Sequence, residues 1–190
     1  MEKATVGFAL CGSFCTFSKA IKEMEHLALE KYDIVPIMSC TAYSTDTRFG
    51  RAKDINERIR AICQKDIIHT IEAAEPIGPK KMCDILAVVP CTGNTLGKIA
   101  NGITDTPVTM AVKSQLRIGA PVVLALASND ALGASAQNLG KLLNTKNIYF
   151  VPMSQDDPTN KPKSLVAHFD KLQKTIASAL IDIQLQPVFA

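Results

Sequence analysis

The chain has 190 residues, of which 47% are hydrophobic and 21% are charged, and its formal net charge is +3. These values are typical of a folded globular protein with a hydrophobic core of its own, and they exclude a disordered chain. A nucleic-acid-binding protein is disfavoured because no polybasic run occurs, and no apolar run approaches the ~20 residues that a membrane-spanning helix needs.

The first half of the chain alternates short apolar runs with amphipathic segments. Runs rich in β-branched residues predict strands, and apolar residues at helical spacing, such as Ile21, Met24 and Leu27, predict helices. The elements expected in this half are a strand over residues 5–10, a helix over 19–31, a strand over 33–38, a polar loop over 39–51, a helix that Asp54 caps and that ends near 63, and a weaker strand over 67–71.

The second half continues this alternation after a connection over residues 73–79, where two prolines and a glycine argue against regular structure. The elements expected there are a strand over 85–89, a helix that begins near 96, a strand over 121–127, a helix over 132–143, a last strand over 148–151, a polar loop over 155–162 and a closing helix over 164–183. Strands that alternate with helices predict an α/β fold. We expect one domain over residues 1–190, a three-layer α/β/α sandwich with a Rossmann-like or flavodoxin-like parallel sheet of about six strands.

The loop after the strand at 85–89 is the strongest candidate for a functional site. It contains Pro90, Thr92, Gly93, Asn94 and Thr95, and the run before it is apolar throughout, as in a strand buried on both faces. In open α/β sheets, ligands bind beyond the carboxyl ends of the strands. Small residues there let a flat ring or a phosphate approach the backbone, and the hydroxyl and amide groups supply hydrogen bonds. We therefore expect a cofactor at this loop.

A second candidate is the turn after the first strand, which contains Gly12 and Ser13. A glycine after a parallel strand, followed by a hydroxyl at a helix start, suits a phosphate at the positive end of the helix. The alternative is a plain tight turn in which Ser13 or Thr16 caps the helix. The turn lacks the Gly-x-Gly-x-x-Gly pattern, which is the main sequence signature of dinucleotide binding, so we do not expect NAD to bind here.

Two further polar segments follow expected strands. Ser39 and Thr41 carry hydroxyls that could hold a ribityl chain or a phosphate, although an ordinary polar loop is the better explanation of this segment taken alone. Ser128 and Asn129 follow the strand at 121–127, where Asn129 could bond the edge of a ring. Capping of the next helix by Asp130 is the alternative for this second segment.

Two arginines, Arg48 and Arg51, lie in the polar loop over 39–51. Guanidinium groups pair bidentately with carboxylates or phosphates, but they are also common as solvated surface charges. We expect no metal site, because the three histidines are scattered and stand at no ligand spacing with acids.

The six cysteines form no Cys-x-x-Cys pair, so neither a zinc finger nor a redox motif is expected. The first apolar run is interrupted by Gly12 and Ser13 and has no cleavage-site pattern, which argues against a signal peptide. We therefore expect reduced thiols and a cytoplasmic protein. Cys11, Cys40 and Cys91 nevertheless follow expected strands, close to where a pocket would lie.

The loop over residues 90–95 resembles the flavoprotein family that includes flavin-containing cysteine decarboxylases and flavin prenyltransferases. The family signature here is Pro-Ala-Ser-Ala-Asn-Thr followed by a lysine, and Pro90, Asn94, Thr95 and Lys98 match it. Gly102 and Asp105 continue the pattern, and the turn at Gly12 and Ser13 matches the first loop of the family. The resemblance implies that FMN binds here. The residues then expected to bind the cofactor are Gly12, Ser13, Ser39, Thr41, Pro90, Thr92, Gly93, Asn94, Thr95, Ser128 and Asn129.

The chain departs from the decarboxylases of that family. Their substrate clamp, with its nearby tryptophan, is replaced by residues 127–133, and the chain has no tryptophan. His69 does not fall where we expect the catalytic histidine of a decarboxylase. A stand-alone decarboxylase or prenyltransferase is therefore the weakest reading of the resemblance.

A closer resemblance covers nearly the whole chain and is to a branch of the family that works in two-subunit enzymes of sporulating bacteria. The segments that carry it are residues 74–79, 91–95, 128–130, 147–152, 155–158, 161–162 and 164–167. It implies oxidation of dihydrodipicolinate to dipicolinate together with a partner that binds NAD(P). It also implies a homo-oligomer, a trimer or larger.

The dicarboxylate substrate of that reaction needs cationic or amide donors, for which Arg48, Arg51, Lys98 and Lys113 are candidates. No general base is singled out by its spacing. An alternative function is a scaffold or regulatory subunit that keeps the fold and binds flavin weakly or not at all. Gly93, where the family signature has alanine, keeps this alternative open.

Overall fold

A computed structural model describes residues 4–190 of the chain. Five parallel strands form the body of a sheet in the order β2-β1-β3-β4-β5. These strands are β1 (Thr5–Leu10), β2 (Asp33–Met38), β3 (Ile85–Cys91), β4 (Val122–Ser128) and β5 (Ile148–Phe150). The order 2-1-3-4-5 is that of flavodoxin-like sheets, and the predicted fold class is confirmed.

The sheet differs from a purely parallel one at the carboxyl end of β4. There β7 (Leu165–Ala167) pairs antiparallel with Ala127 and Ser128, and β6 (Met153–Ser154) pairs antiparallel with β7. The predicted closing helix over 164–183 is therefore wrong in its first part. Because Leu165 and Ala167 are buried and alternate with the less buried Val166, the segment suits a strand as well as a helix.

Helices cover both faces of the sheet. They are α1 (Phe17–Leu29), α2 (Cys40–Ser44), α3 (Ala52–Cys63), α4 (Ile71–Ala74), α5 (Gly93–Ala100), α6 (Pro107–Arg117), α7 (Ala136–Leu143) and α8 (Leu172–Ala179). One face packs against α1, α3 and α8, and the other against α4 to α7. Every residue of β3 is buried, as expected for a strand covered on both sides. No helix within residues 4–190 has the length and apolar character needed to span a membrane.

Several expected boundaries in the first half change. The loop over 39–51 contains α2, whose N-cap is Ser39, and the N-cap of α3 is Arg51 rather than Asp54. Asp54 lies in the first turn, where it accepts two hydrogen bonds from the Arg51 guanidinium at 2.9 and 3.1 Å. The weak strand over 67–71 is a single bridge between Ile37 and Ile68. The connection over 73–79 is partly helical, since it contains the end of α4 and a 3-10 turn over Glu75–Ile77.

In the second half, α6 was not expected, although Thr106 and Thr109 form a reciprocal capping box directly before and within its first turn. The helix expected over 132–143 begins only at Ala136, because residues 129–135 form turns in which the Asp130 carboxylate accepts from Ala134 N at 3.3 Å. Asp130 therefore caps a turn and not the helix. The helix expected to begin near 96 begins at Gly93.

The C-terminal segment covers the edge of β5. The Gln184 side chain accepts a hydrogen bond from Phe150 N at 2.7 Å and donates one to Phe150 O at 2.8 Å. One side-chain amide thus satisfies the donor and acceptor that a neighbouring strand would pair. An unpaired sheet edge promotes association with other chains, so this contact protects the edge.

Candidate functional site

The carboxyl ends of β1, β2 and β3 enclose a cleft. The chain passes from β1 outward to β2 and then returns to place β3 on the other side of β1. Such a reversal opens a crevice between the loops that follow β1 and β3, which is where open α/β sheets bind ligands. The cleft has a volume of about 320 Å³ and is lined by Cys11, Gly12, Ser39, Cys40, Thr41, Thr92, Asn94, Thr95, Lys98 and Thr106.

The wall formed by β3 and α5 is fixed by hydrogen bonds among small residues. Thr92 is the N-cap of α5, and its hydroxyl oxygen accepts from Thr95 N at 3.2 Å. The Thr95 hydroxyl lies 3.2 Å from Cys11 Sγ, which connects α5 to the end of β1. The amides of Gly93 and Asn94 belong to the first turn, where helix geometry provides no internal acceptor. This helix end therefore offers donors to an anion.

The opposite wall follows β2. Ser39 N donates to Leu10 O at 3.0 Å, which holds the start of α2 beside β1. The Ser39 hydroxyl accepts from Ala42 N at 3.2 Å, so it acts as a helix cap. Thr41 and Cys40 lie in the first turn and line the cleft. Ser39 thus caps α2 and at the same time lines the wall of the cleft.

Gly12 lies between the two walls. A methyl group at Gly12 would lie 3.6 Å from the Phe14 ring and 3.7 Å from Thr41 Cγ2, which are ordinary contact distances. Packing within the chain therefore does not require glycine at this position. The lack of a side chain instead leaves open space next to the backbone in the cleft. Ser13 adjoins the cleft and is not part of its lining. Neither Ser13 nor Thr16 makes a side-chain cap hydrogen bond.

Lys98 is the one cation among the described residues 4–190 that lines the cleft. Its Nζ donates to both carboxylate oxygens of Asp105, at 2.8 and 2.9 Å. The hydrogen bond from Lys98 lowers the pKa of Asp105 below its ordinary value. An incoming carboxylate or phosphate would share the ammonium group with Asp105.

The other three cation candidates lie outside the cleft. Arg51 is bound to Asp54 and its side chain is 73% exposed. The Arg48 guanidinium lies 4.8 Å from the centre of the Phe49 ring. Lys113 lies on α6 and lines a separate groove between α5 and α6. Of the four candidates, the structure therefore brings only Lys98 together with the polar loops.

Three of the remaining candidates, Pro90, Gly93 and Ser128, belong to elements next to the cleft but do not line it. Pro90 is a buried residue of β3 rather than of the loop. A Cβ at Gly93 would lie 2.7 Å from Ser128 Oγ and 3.0 Å from Ser135 Oγ, so glycine allows α5 to approach the end of β4. Ser128 thus lies against the start of α5, while Asn129 is exposed. The difference from the family alanine at position 93 has a packing cause.

Two aromatic rings that the sequence did not assign to this site lie beside the β2 wall. Tyr43 and His69 stack with ring centres 3.9 Å apart and planes 7° apart. His69 Nδ1 lies 3.0 Å from Ile67 O, which makes it the protonated nitrogen in the neutral tautomer. Cys40 Sγ lies 4.0 Å from His69 O, so the stack adjoins the cleft lining. No spacing in the sequence indicates this pair, because its members belong to distant segments of the chain.

The buried thiols near the site are not nucleophiles. Burial raises the pKa of Cys11 to about 11 and raises that of Cys91 well above its ordinary value. A thiol is reactive only as its thiolate, so both act as small apolar residues at neutral pH. Within residues 4–190, no group of three or more His, Cys, Asp or Glu side chains is placed to hold a metal ion.

Comparison with known proteins connects this geometry to a family. The family model described as Flavoprotein matches residues 1–180. The B subunit of dipicolinate synthase from Bacillus subtilis (strain 168) is 43% identical over 183 residues, which are 96% of this chain and 92% of that protein.

Solved structures show the same similarity. The crystal structure of the B subunit of dipicolinate synthase from Bacillus halodurans C has a TM-score of 0.91 and 42% identity, covering 98% of this chain and 96% of that one. Burkholderia xenovorans DmrB, crystallised with FMN and described as a cubic protein cage for redox transfer, has a TM-score of 0.70 and 18% identity, covering 94% of this chain and 96% of that one. The second likeness concerns the fold alone.

Proposed function

Since the chain belongs to the flavoprotein family, we propose that it is the FMN-binding subunit of a dipicolinate synthase. With a second subunit, it would oxidise dihydrodipicolinate to dipicolinate during sporulation. The flavin-binding part of this proposal rests on the polar cleft that opens where the strand order reverses at β1 and β3. One wall of this cleft contains the first turn of α5. The similarity to two dipicolinate synthase B subunits over nearly the whole chain supports the reaction.

The residues of the cleft suit FMN. The first turn of α5, with the amides of Gly93 and Asn94, would hold the phosphate, and the hydroxyls of Thr41 and Thr92 would bind the ribityl chain. Gly12 would leave room next to the backbone. FMN, when bound, supplies a two-electron acceptor for hydride.

The chain itself would position the substrate. Lys98 would bind one substrate carboxylate while it remains paired with Asp105. His69 presents Nε2 as the unprotonated nitrogen when Nδ1 donates to Ile67 O. This nitrogen would accept the proton that leaves the ring during aromatisation. Its stacking on Tyr43 would hold the imidazole in place.

The proposal includes partners. The chain lacks the dinucleotide fingerprint, so NAD(P) would bind to the other component of the enzyme, the A subunit of dipicolinate synthase. We further propose a homo-oligomer of three or more copies, as DmrB forms a cage. All six cysteines are free thiols, which supports action in the reducing cytoplasm.

A titration with FMN tests the site. Gly12→Ala adds a methyl group to the cleft at distances that the fold tolerates, so we expect the variant to fold and to bind FMN at least tenfold more weakly. Quenching of FMN fluorescence measures the affinity. Gly140→Ala is the matched control, because a Cβ at Gly140 meets nothing within 4 Å.

Two results would contradict the assignment of the cofactor. Equal FMN affinity in Gly12→Ala and in the unmodified chain would place flavin elsewhere. A chain that ignores FMN and still raises the activity of the A subunit would instead support the scaffold or regulatory function.

A further inference from the structure

A second cavity lies outside the cleft, between α1 and the C-terminal β6–β7 pair. It has a volume of about 380 Å³, and the residues that bear on its chemistry are Lys19, Lys22, Val166, His168, Phe169 and Asp170. None of these residues lines the cleft between the loops that follow β1 and β3. Because FMN is proposed to bind in that cleft, we call it the cofactor cleft. We call the second cavity the lysine pocket.

The two lysines of the lysine pocket form a pair of adjacent cations. Lys19 and Lys22 are three residues apart on α1, so they lie on one face of the helix about 5–6 Å apart at their Cβ atoms. Neither takes part in an ion pair within residues 4–190. Two neighbouring ammonium groups that no carboxylate pairs directly can each bind one carboxylate of a ligand, although Glu23, Asp156 and Asp170 also line the pocket.

The carboxylates that also border the pocket have partners, except one. Glu23 lies 3.4 Å from His26 Nδ1, and Asp156 lies 3.2 Å from Lys161 Nζ. The neighbouring Ser164 hydroxyl and Lys161 ammonium lower the pKa of Asp156 below its ordinary value. Asp170 forms no ion pair with any residue from 4 to 190, and it opposes the binding of an anion on its side of the pocket.

The lysine pocket has an apolar floor, and hydrogen bonds hold His168 at its polar side. Val166, Ala167 and Phe169 contribute apolar surface. His168 Nε2 lies 3.0 Å from Ser154 Oγ, and His168 N donates to Pro152 O at 2.8 Å. A flat ring would rest on the apolar floor, with the imidazole at its edge.

We propose that the lysine pocket binds a small planar dicarboxylate. The product of the proposed reaction, pyridine-2,6-dicarboxylate, belongs to this class, and its identification as the ligand rests on the proposed function. The lysine pocket is then a site for the product, or for a molecule like it, apart from the cofactor cleft.

Isothermal titration of the full chain with pyridine-2,6-dicarboxylate tests the proposal. We expect saturable binding, and the double variant Lys19→Gln/Lys22→Gln should raise the Kd at least tenfold. Asp170→Asn should lower the Kd at least twofold, because it removes the unpaired negative charge. The matched control is Lys80→Gln/Lys81→Gln, which removes two exposed lysines elsewhere and should leave the Kd within twofold.

The results separate this proposal from that of the cofactor cleft. No binding, or a Kd that Lys19→Gln/Lys22→Gln leaves unchanged, would overturn the lysine pocket. Loss of binding in Lys98→Gln alone would also overturn it and place the dicarboxylate in the cleft. A chain that binds FMN but no dicarboxylate refutes only the present proposal, whereas binding through the two lysines without FMN binding refutes only the cofactor.

Discussion

Individual cysteines of this chain differ in exposure and therefore in reactivity. Burial raises the pKa of Cys63 and of Cys83 to about 12 each and that of Cys11 to about 11. Cys15 and Cys40 are exposed, and only Cys40 of these two lines the cofactor cleft. Because the thiolate is the reactive form, the folded chain has two accessible thiols.

Thiol modification follows from this difference. At pH 8, we expect an aromatic disulfide reagent to modify Cys15 and Cys40 rapidly, and the four buried thiols only after unfolding. A raised pKa leaves little thiolate at pH 8, so burial and charge both slow the reaction. FMN should protect Cys40 and leave the rate at Cys15 unchanged.

Mass spectrometry of the modified chain identifies the sites. Cys15→Ser is the control that leaves only one fast thiol. Rapid modification of Cys11 or Cys91 in the folded chain would contradict the burial described here. Equal modification of Cys40 with and without FMN would contradict its place beside the cofactor.

The local sequence predicts some site residues better than others. Gly12, Thr92 and Asn94 directly follow buried strands, and the carboxyl ends of parallel strands meet at one edge, so their convergence could be predicted. Arg48, Arg51 and Lys113 were candidates because of their charge alone. Which way a side chain points from a helix or a loop depends on packing between distant segments, and the sequence does not contain that information locally.

Helix α5 depends on a close approach to β4. A methyl group at Gly93 would meet Ser128 Oγ at 2.7 Å and Ser135 Oγ at 3.0 Å. Overfilling a packed contact of this kind typically costs about 1–3 kcal/mol. We expect Gly93→Ala to lower the free energy of unfolding by this amount and to weaken FMN binding, because α5 moves away from the cleft.

Chemical denaturation measures this effect. The double variant Gly93→Ala/Ser128→Ala should recover part of the loss, since it removes the nearer hydroxyl. Gly140→Ala, also in a helix, should be neutral or stabilising because alanine favours helix over glycine. A Gly93→Ala chain as stable as the unmodified one would show that α5 does not need this contact.

The elements that the sequence predicted well are the long apolar strands and the amphipathic helices other than α6. Strands β1 and β2 have the expected bounds, since each is a single apolar run between polar residues. The short strand β7 and helix α2 were missed, because elements this short leave no periodic signal. Strand β7 forms only where the end of β4 offers unpaired backbone groups.

At the scale of the whole molecule, the cofactor cleft and the lysine pocket lie at the same sheet. The alternation of strands and helices predicted a flavodoxin-like α/β sheet. In the observed strand order 2-1-3-4-5, the reversal at β1 and β3 determines where the cofactor cleft opens. The antiparallel β6–β7 pair was not predicted, and it forms one wall of the lysine pocket. Helix α1 carries Lys19 and Lys22 of the lysine pocket, and Gly12, which lines the cofactor cleft, precedes this helix in the chain.

Formation of dipicolinate by the reconstituted two-component enzyme is the most direct test of the central claim. The A subunit would be mixed with this chain, either stripped of flavin or loaded with FMN, and the ultraviolet absorbance of dipicolinate would be followed. We predict that the FMN-loaded chain raises the rate at least tenfold over the stripped chain. We also predict that Asn94→Ala, which removes a side-chain amide from the cleft lining, loses most of this gain. Equal rates with and without FMN would contradict the account.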